Sequence, residues 1–299
     1  MRKINGKWLF MIGILAALGF VISGCSFGSR QDMEVSGSVG KKTVEWQAGE
    51  LTVENIYVKT GAMSSGPQIE LLSDGGTARA EIEAQDGLLN AIVVKTNNGS
   101  LRIYAASDRT YITTSPVTIR LYNYQFEKLR FSGACQVTDR VGLGSPEKDL
   151  EITMVGACSL KSPLLQAGKL TADIGGASTL TAEQMRTDRF KLDLSGASTL
   201  SCKDCEVTTK SDWSLSGAST LTLAGKGNEL FAVLNGASTV KSFDFEQQTC
   251  VITVSGSSTM ELNVVQSLGG SILRSSTVYY KGDPETMTEV GSTGKLEKK

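Results

Sequence analysis

The central part of the chain repeats one pattern of apolar and polar residues about every twenty positions. Seven segments align on a glycine that most copies follow with Ala-Ser-Thr, and successive glycines lie 23, 20, 20, 21, 19 and 20 residues apart. The aligned glycines are Gly133, Gly156, Gly176, Gly196, Gly217, Gly236 and Gly256. An eighth copy, LRSSTV, carries Arg274 at the glycine position. Internal repeats of this length are typical of stacked, solenoid-like folds.

Apolar residues alternate with polar ones inside each repeat. The positions two and four before the glycine and four after it are apolar in every copy, as in Leu192, Leu194 and Leu200. This period of two predicts strands with one buried face, whereas a helix would need spacings of three and four. One such repeat cannot enclose a core alone, but stacked repeats can.

We therefore predict an all-β, single-stranded, right-handed parallel β-helix (β-solenoid) with coils of about 20 residues. Eight coils at the spacing of neighbouring strands would form a rod of roughly 40 Å. A multi-bladed or sandwich β fold is the alternative. A leucine-rich repeat does not fit, because its fixed Asn and leucine spacing are missing from these copies.

Stacking also places equivalent residues of each repeat in columns. The glycines would form a tight corner, and Thr179, Thr199, Thr220, Thr239 and Thr259 would form a ladder. Cys135 and Cys158 share the column that later repeats fill with serine. Because neighbouring in-register strands strain disulfide geometry, we expect a stacked thiol pair there instead of a bond.

The first residues carry a different pattern, that of an export signal. Arg2, Lys3 and Lys7 precede an apolar run from Trp8 to Ile22, which is short for a membrane span. Ile22-Ser23-Gly24-Cys25 resembles the bacterial lipobox. The resemblance implies that Cys25 becomes the first mature residue and carries diacylglycerol and an acyl chain such as palmitate. An ordinary cleaved signal peptide or an uncleaved anchor helix are the alternatives.

These segments divide the chain into four parts. Residues 1–24 are the predicted lipoprotein signal peptide, and residues 25–50, rich in Gly, Ser and charge, suit a flexible tether. Residues 51–284 form the predicted β-solenoid domain, with its repeats over 131–280, and 285–299 are a polar tail. The arrangement of residues 36–110 stays open between an early part of the solenoid and a small β cap. A lipid on Cys25 would hold the chain on the cell membrane or the outer membrane, facing outside the cytoplasm.

Composition narrows the chemistry. With 30 basic and 31 acidic residues, the chain has no excess positive charge for nucleic-acid binding. It contains no histidine, the commonest general base and metal ligand, so we expect neither a metal site nor a cofactor. Apart from Cys25 the cysteines are Cys135, Cys158, Cys202, Cys205 and Cys250. Cys202 and Cys205 have CxxC spacing without a second pair for zinc, and either form a local disulfide or stay as thiols.

With these repeats, the chain resembles the bacterial family described as putative auto-transporter adhesin, head GIN domain. The repeated SGAST-L motif carries the resemblance, together with Asn98-Gly99-Ser100-Leu101-Arg102-Ile103 before the repeats and Tyr280-Lys281-Gly282-Asp283-Pro284 after them. It spans about residues 51–284. The resemblance implies an exported β-helical domain with an adhesin-like role. Cysteines in the first two repeats and Arg274 in the last depart from the pattern, the latter as a capping coil would.

Two functions fit this sequence. The first is a non-enzymatic, membrane-anchored lipoprotein that acts in adhesion, surface binding or envelope structure, with a glycan or another cell-surface ligand as partner. The alternative is a carbohydrate-active lyase or hydrolase on the same scaffold, for which Asp173, Asp193 and Asp212 are the candidate acids. Asp173 and Asp193 stand three residues before their glycines, so they would stack as a pair. We predict no catalytic residues, and these aspartates are then solvated outward positions on strands.

Overall fold

The computed structural model describes residues 30–60 and 63–299, and within them the chain is almost entirely β. The short helix α1 spans Asp86–Leu89. The strands are β1 (Asp32–Glu34), β2 (Val39–Glu45), β3 (Glu50–Glu54), β4 (Tyr57–Thr60), β5 (Met63–Ser65), β6 (Gln68–Leu72), β7 (Arg79–Gln85), β8 (Ile92–Asn97), β9 (Ser100–Ala105), β10 (Thr110–Thr113), β11 (Thr118–Tyr122), β12 (Lys128–Gly133), β13 (Gln136–Asp139), β14 (Leu143–Ser145), β15 (Leu150–Gly156), β16 (Ser159–Ile174), β17 (Thr179–Leu194), β18 (Thr199–Leu215), β19 (Thr220–Lys226), β20 (Glu229–Leu234), β21 (Thr239–Val254), β22 (Thr259–Ile272), β23 (Thr277–Lys281), β24 (Glu285–Val290) and β25 (Lys295–Lys298).

Parallel coils stack into a β-solenoid of about 9 turns, roughly 20 residues apart. Each coil contributes strand segments to three ladders. The first face holds the segment before the corner glycine, the second face holds the segment after it, and the third face closes the coil. Register is kept between coils: Leu192 lies beside Ala172 and Trp213, and Leu200 lies beside Leu180 and Leu221. The predicted solenoid is confirmed.

The three apolar columns predicted from the repeat form the inner core. Every member of these columns is buried, from Leu129 and Phe131 in the first repeat to Val254 and Met260 in the seventh. Neighbouring coils therefore present apolar surface to each other along the whole stack, and that burial is the main favourable term holding the coils together.

The corner glycines adopt a left-handed backbone that side chains disfavour. Gly176, Gly196, Gly217 and Gly236 have φ between 74° and 78°. Across the corner, the N–H of the residue after each glycine donates to the carbonyl of the previous glycine, as from Ala197 to Gly176 at 2.7 Å. The backbones of successive corners are thus in direct contact.

A buried serine or cysteine completes each corner. The Ser198 hydroxyl donates to the carbonyl of Ser195 at 2.5 Å, and the Ser238 hydroxyl to that of Asn235 at 2.8 Å. The Cys135 thiol lies 3.5 Å from the carbonyl oxygen of Ser132, three residues earlier in the same way. This column of the corner therefore requires a small, buried side chain that donates a hydrogen bond. Serine provides it in the later repeats and cysteine in the first two.

All five cysteines in the described part of the chain are free thiols and buried. The stacked pair Cys135 and Cys158 and the pair Cys202 and Cys205 thus carry no disulfide. Hydrogen bonding to Cys158, together with burial, raises the pKa of Cys135 well above its usual range, and burial raises the pKa of Cys250 to about 12. These two thiols are protonated at neutral pH and act as small apolar core groups.

The stacking order at the N-terminal end departs from the order in sequence. Strand β3 lies between β9 and β12, and β6 lies between β11 and β13. The coil formed by β3 and β6 thus lies between the coil of β9 and β11 and the coil of β12 and β13, although it precedes both in sequence. Antiparallel strands close this end, with β8 on β9 and β7 between β2 and β11. This answers the open question of residues 36–110, which are both early coils and cap.

Strands occur in the two segments that composition predicted to be a tether and a polar tail. The proposed tether of residues 25–50 includes β1 and β2, and β2 pairs along its length with β7, which satisfies its polar backbone. The proposed polar tail of residues 285–299 forms β24 and β25, which pair with β22 and β23. Arg274 keeps the left-handed corner conformation, with φ 57°. The coil that contains Arg274 is followed by a further coil stacked on it, so Arg274 does not mark the end of the solenoid. Polar strands at the end of a stack need little apolar surface when a neighbour supplies hydrogen bonds.

Candidate functional site on the outer faces

Cys25, the predicted lipidation site, lies outside the described residues, as do the rest of the predicted signal peptide and the lipobox. Its modification therefore stays a prediction. Over residues 30–60 and 63–299, no apolar helix reaches the length that a membrane crossing requires.

The first face carries the candidate aspartates. Asp173 and Asp193 are register partners on adjacent coils, so their exposed side chains stack side by side. Asp212 lies in the neighbouring column beside Lys191 and pairs with Lys210 at 2.8 Å. The structure thus brings Asp173 and Asp193 together and leaves Asp212 in a separate ion pair.

Partial burial, and secondarily the charge of Asp173, raise the pKa of Asp193. A carboxyl whose pKa is raised on folding binds more protons in the folded state than in the unfolded state. Its ionisation therefore lowers the free energy of unfolding as pH rises above the unfolded value of about 3.9. At neutral pH the stacked carboxylates of Asp173 and Asp193 therefore slightly destabilise the folded state. Both are open to solvent on a flat strand surface.

We expect Asp193→Asn to raise the melting temperature slightly at pH 7, because it removes a carboxylate whose ionisation is disfavoured by partial burial and by the charge of Asp173. The difference from the wild type should vanish near pH 4, grow as pH rises, and shrink in high salt. Thermal unfolding between pH 4 and pH 8 measures it. Asp212→Asn is the control, since it removes the partner of Lys210 and should not stabilise. A stability gain for Asp193→Asn that is largest at pH 4 would contradict this.

The second face carries the predicted threonine ladder. Thr179, Thr199, Thr220, Thr239 and Thr259 are successive register partners, all half-buried. A second hydroxyl column beside it contains Thr181, Ser201 and Thr222, in which the Ser201 hydroxyl lies 3.4 Å from that of Thr181. The first column places hydroxyl groups at regular spacing along five coils, and the second along three.

The third face carries charges of alternating sign. Arg186 contacts the carboxylates of Asp204 and Glu206, and Lys226 lies 2.9 Å from Glu206. The residues come from three consecutive coils and neutralise one another. Exposed ion pairs of this kind contribute little to stability. We therefore interpret the third face as an ordinary solvated surface.

A small cavity lies where the first coils lack a third-face strand. Its volume is about 240 Å³, and its lining includes Leu121, Tyr124, Phe126 and Leu143. The rings of Tyr124 and Phe126 stack at 4.8 Å. Burial raises the pKa of Tyr124 to about 12, so its hydroxyl stays neutral. The cavity follows from the change in coil shape between cap and repeats.

The first face also carries an exposed apolar area that was not predicted from the sequence. Phe231, Val233 and Val251 point outward and are 42%, 45% and 48% exposed. They occupy outward columns where other repeats carry Asp173, Asp193, Lys191 or Asp212. The sequence contains a signal for this area, because outward positions three or five residues before Gly236 and Gly256 are apolar.

Metal binding requires several ligands converging on one point. Among the described residues, no three or more side chains of His, Cys, Asp or Glu are placed to hold a metal ion.

Solved structures share this architecture. A crystal structure of a putative adhesin from Parabacteroides merdae has a TM-score of 0.67 at 13% identity, covering 90% of this chain and 99% of its own. A putative adhesin from Parabacteroides distasonis has a TM-score of 0.61 at 11% identity, covering 90% and 100%. A putative lipid binding protein from the same species has 0.57 at 13% identity, also covering 90% and 100%. At such identities the likeness concerns the fold alone.

No curated protein sequence matches the chain. A family model described as "Putative auto-transporter adhesin, head GIN domain" does match, over residues 64–284, a slightly shorter span than the motifs had predicted. The match covers most of the chain and all seven glycine repeats, and the chain therefore belongs to this family.

Proposed function

We propose that the chain is an exported lipoprotein, anchored to a membrane through lipid on Cys25, whose β-solenoid acts as a non-enzymatic binding rod in adhesion. The family and the adhesin-like neighbours support a binding role. The basic, apolar and small-residue pattern that ends at Cys25 supports the anchor. Two or more acyl chains on one cysteine hold a protein on a membrane where a single chain would not.

The observation that carries the proposal is the continuity of the repeats. Strands β16, β17, β18 and β21 each run for 16 or 17 residues through the corners of the second and third faces. Outward side chains from successive coils therefore form broad, flat, regular surfaces. Such surfaces suit contact with an extended partner, such as a glycan or another cell surface, better than enclosure of a small substrate.

The alternative, a carbohydrate-active enzyme, depends on Asp173 and Asp193. Their adjacency and the raised pKa of Asp193 favour it, because glycosidases use paired carboxyl groups of unequal pKa. The exposure of both residues on a flat face argues against it, since a general acid works in a site that excludes water. We therefore propose a non-catalytic role, and hydrolysis or elimination of a polysaccharide that is lost in Asp193→Asn would reverse this choice.

The experiment starts with the anchor. Cells producing the full chain are labelled with an alkyne analogue of palmitate and fractionated. We expect the wild-type chain to carry the label and sediment with membranes, and Cys25→Ser to do neither. Cys135→Ser is the matched control, because it removes a different cysteine and should keep both properties.

Attachment of the same cells to mucin-coated and glycan-coated surfaces tests the binding role. We expect production of the wild-type chain to increase attachment, and Cys25→Ser to abolish the increase at equal protein levels. Phosphatidylcholine-coated surfaces are included because one structural neighbour is described as a putative lipid binding protein. Unchanged attachment on all surfaces would overturn the adhesive role, and label retained in Cys25→Ser would overturn the anchor.

A further inference from the structure

The apolar area on the first face extends into a larger surface without charge. Its outward residues come from three consecutive coils and comprise Phe231, Val233, Thr249, Val251, Thr253, Ser267, Gly269 and Ser271. We call this surface the neutral patch. Phe231 lies beside Val251, which lies beside Gly269. Adjacent coils are about 4.8 Å apart, so the patch is a flat, regular area.

The neutral patch mixes two kinds of group. Phe231 and Val251 expose apolar carbon, while hydroxyls come from Thr253 on the strand of Val251 and from Ser271, which lies beside Thr253 on the next strand. Gly269 adds no side chain, and a Cβ built there would meet only the carbonyl oxygen of Met287, at 3.7 Å. The surface therefore has a shallow depression at Gly269, beside Val251, with room for a ligand group.

Charges border the neutral patch without entering it. On one side, the Lys210 ammonium lies 4.5 Å from the centroid of the Phe231 ring and 2.8 Å from the Asp212 carboxylate, so its charge is already paired. On the other sides stand the acidic Glu229, Glu285 and Glu289. An anionic ligand would meet these carboxylates, and Lys210, the cation that contacts Phe231, is already paired with Asp212, so the charge pattern favours a neutral ligand.

We infer that the neutral patch binds a neutral polysaccharide, with the chain lying across successive coils. A sugar ring has an apolar face of C–H bonds and a rim of hydroxyls, which match the aromatic and aliphatic side chains and the Ser and Thr hydroxyls respectively. The coil spacing is comparable to the length of one sugar unit, so several units contact equivalent positions. This inference rests on the proposed binding function and assigns it a surface and a ligand class.

The test uses the purified full-length chain in detergent, immobilised and exposed to soluble polysaccharides. The neutral probes are a β-glucan, a mannan and a galactan, and polygalacturonate is the anionic comparison. The variants are Phe231→Ser and the double variant Phe231→Ser/Val251→Ser. Val155→Ser is the matched control, because Val155 is an outward valine of the first face that is 52% exposed and four coils away.

We expect at least one neutral polysaccharide to bind, and Phe231→Ser to weaken its binding at least tenfold with Val155→Ser within twofold of the wild type. Both side chains are about half-exposed, so each variant should lower the melting temperature only slightly. An unchanged circular dichroism spectrum at the temperature of the binding assay then separates lost binding from lost folding. Equal binding by wild type and double variant would overturn the inference. Binding of polygalacturonate alone would overturn it too.

A second copy of the chain is the competing occupant. If light scattering shows a dimer that Phe231→Ser converts to monomer, and no neutral polysaccharide binds, the patch is a self-association surface and the inference fails. The cell-attachment assay keeps this failure separate from that of the proposed function. Attachment that depends on Cys25 but not on Phe231 would leave the adhesive role standing and remove only its assignment to the neutral patch.

Discussion

Replacing Gly196 by alanine should destabilise the solenoid by about 3 kcal/mol or more, the range of severe single substitutions. Gly196 has φ 74°, where a side chain costs roughly 1–2 kcal/mol. Its added Cβ would also lie 2.5 Å from the carbonyl oxygen of Gly176, closer than real Cβ contacts allow. That oxygen cannot retreat freely, because it accepts the 2.7 Å hydrogen bond from Ala197. The clash is therefore relieved only by separating the coils or by breaking the corner.

Two other glycines separate the causes. Gly75 has φ 76° and nothing within 4 Å of an added Cβ, so Gly75→Ala should lose only the roughly 1 kcal/mol of backbone strain. Gly49 has an ordinary φ and equally open space, so Gly49→Ala should be neutral or slightly stabilising. Urea unfolding followed by far-ultraviolet circular dichroism compares the three variants. Equal losses for Gly196→Ala and Gly75→Ala would show that close contact between corners contributes nothing.

The repeated part of the fold was predictable because each coil repeats the same physical requirement. A position that must face the core in one coil must face it in the next, so the columns of Leu194 and Leu200 and the ladder of Thr199 were all evident in the sequence. The corner was equally evident, since a left-handed turn pressed against the backbone of the preceding corner favours glycine, which seven of the eight copies carry.

The cap was not predictable by the same means. Its strands β3 and β6 pair with β9 and β11 on one side and with β12 and β13 on the other, and hydrophobic periodicity holds no information on which distant segments become neighbours. Composition did not indicate the strands near either end of the domain. Strands β2 and β25 are polar, and a neighbouring strand stabilises each of them mainly through backbone hydrogen bonds. The neutral patch escaped notice for a related reason. Packing does not constrain outward positions, so their residue types carry meaning only once the register is known.

Replacing Phe245 by alanine should cost about 3–5 kcal/mol, the usual range for a fully buried phenylalanine. Phe245 is completely buried in the third face and lies beside Gly225 of the previous coil. Its ring centroid lies 6.1 Å from that of Trp213. Gly225 has no side chain with which to fill the hole that the substitution creates.

Phe243→Ala is the matched control, because Phe243 is two residues away, only partly buried, and contacts the Lys281 ammonium at 4.6 Å from its ring centroid. Its loss should stay near the 0.5–1 kcal/mol of an exposed cation–π contact plus a modest loss of apolar burial. Calorimetry measures both variants. Because solenoid coils contact only their neighbours, a defect at Phe245 should also loosen the coils that follow it. Hydrogen exchange should then be faster in β21 and β22 than in β16 and β17, and uniform acceleration along the rod would instead mean that all its coils unfold as one unit.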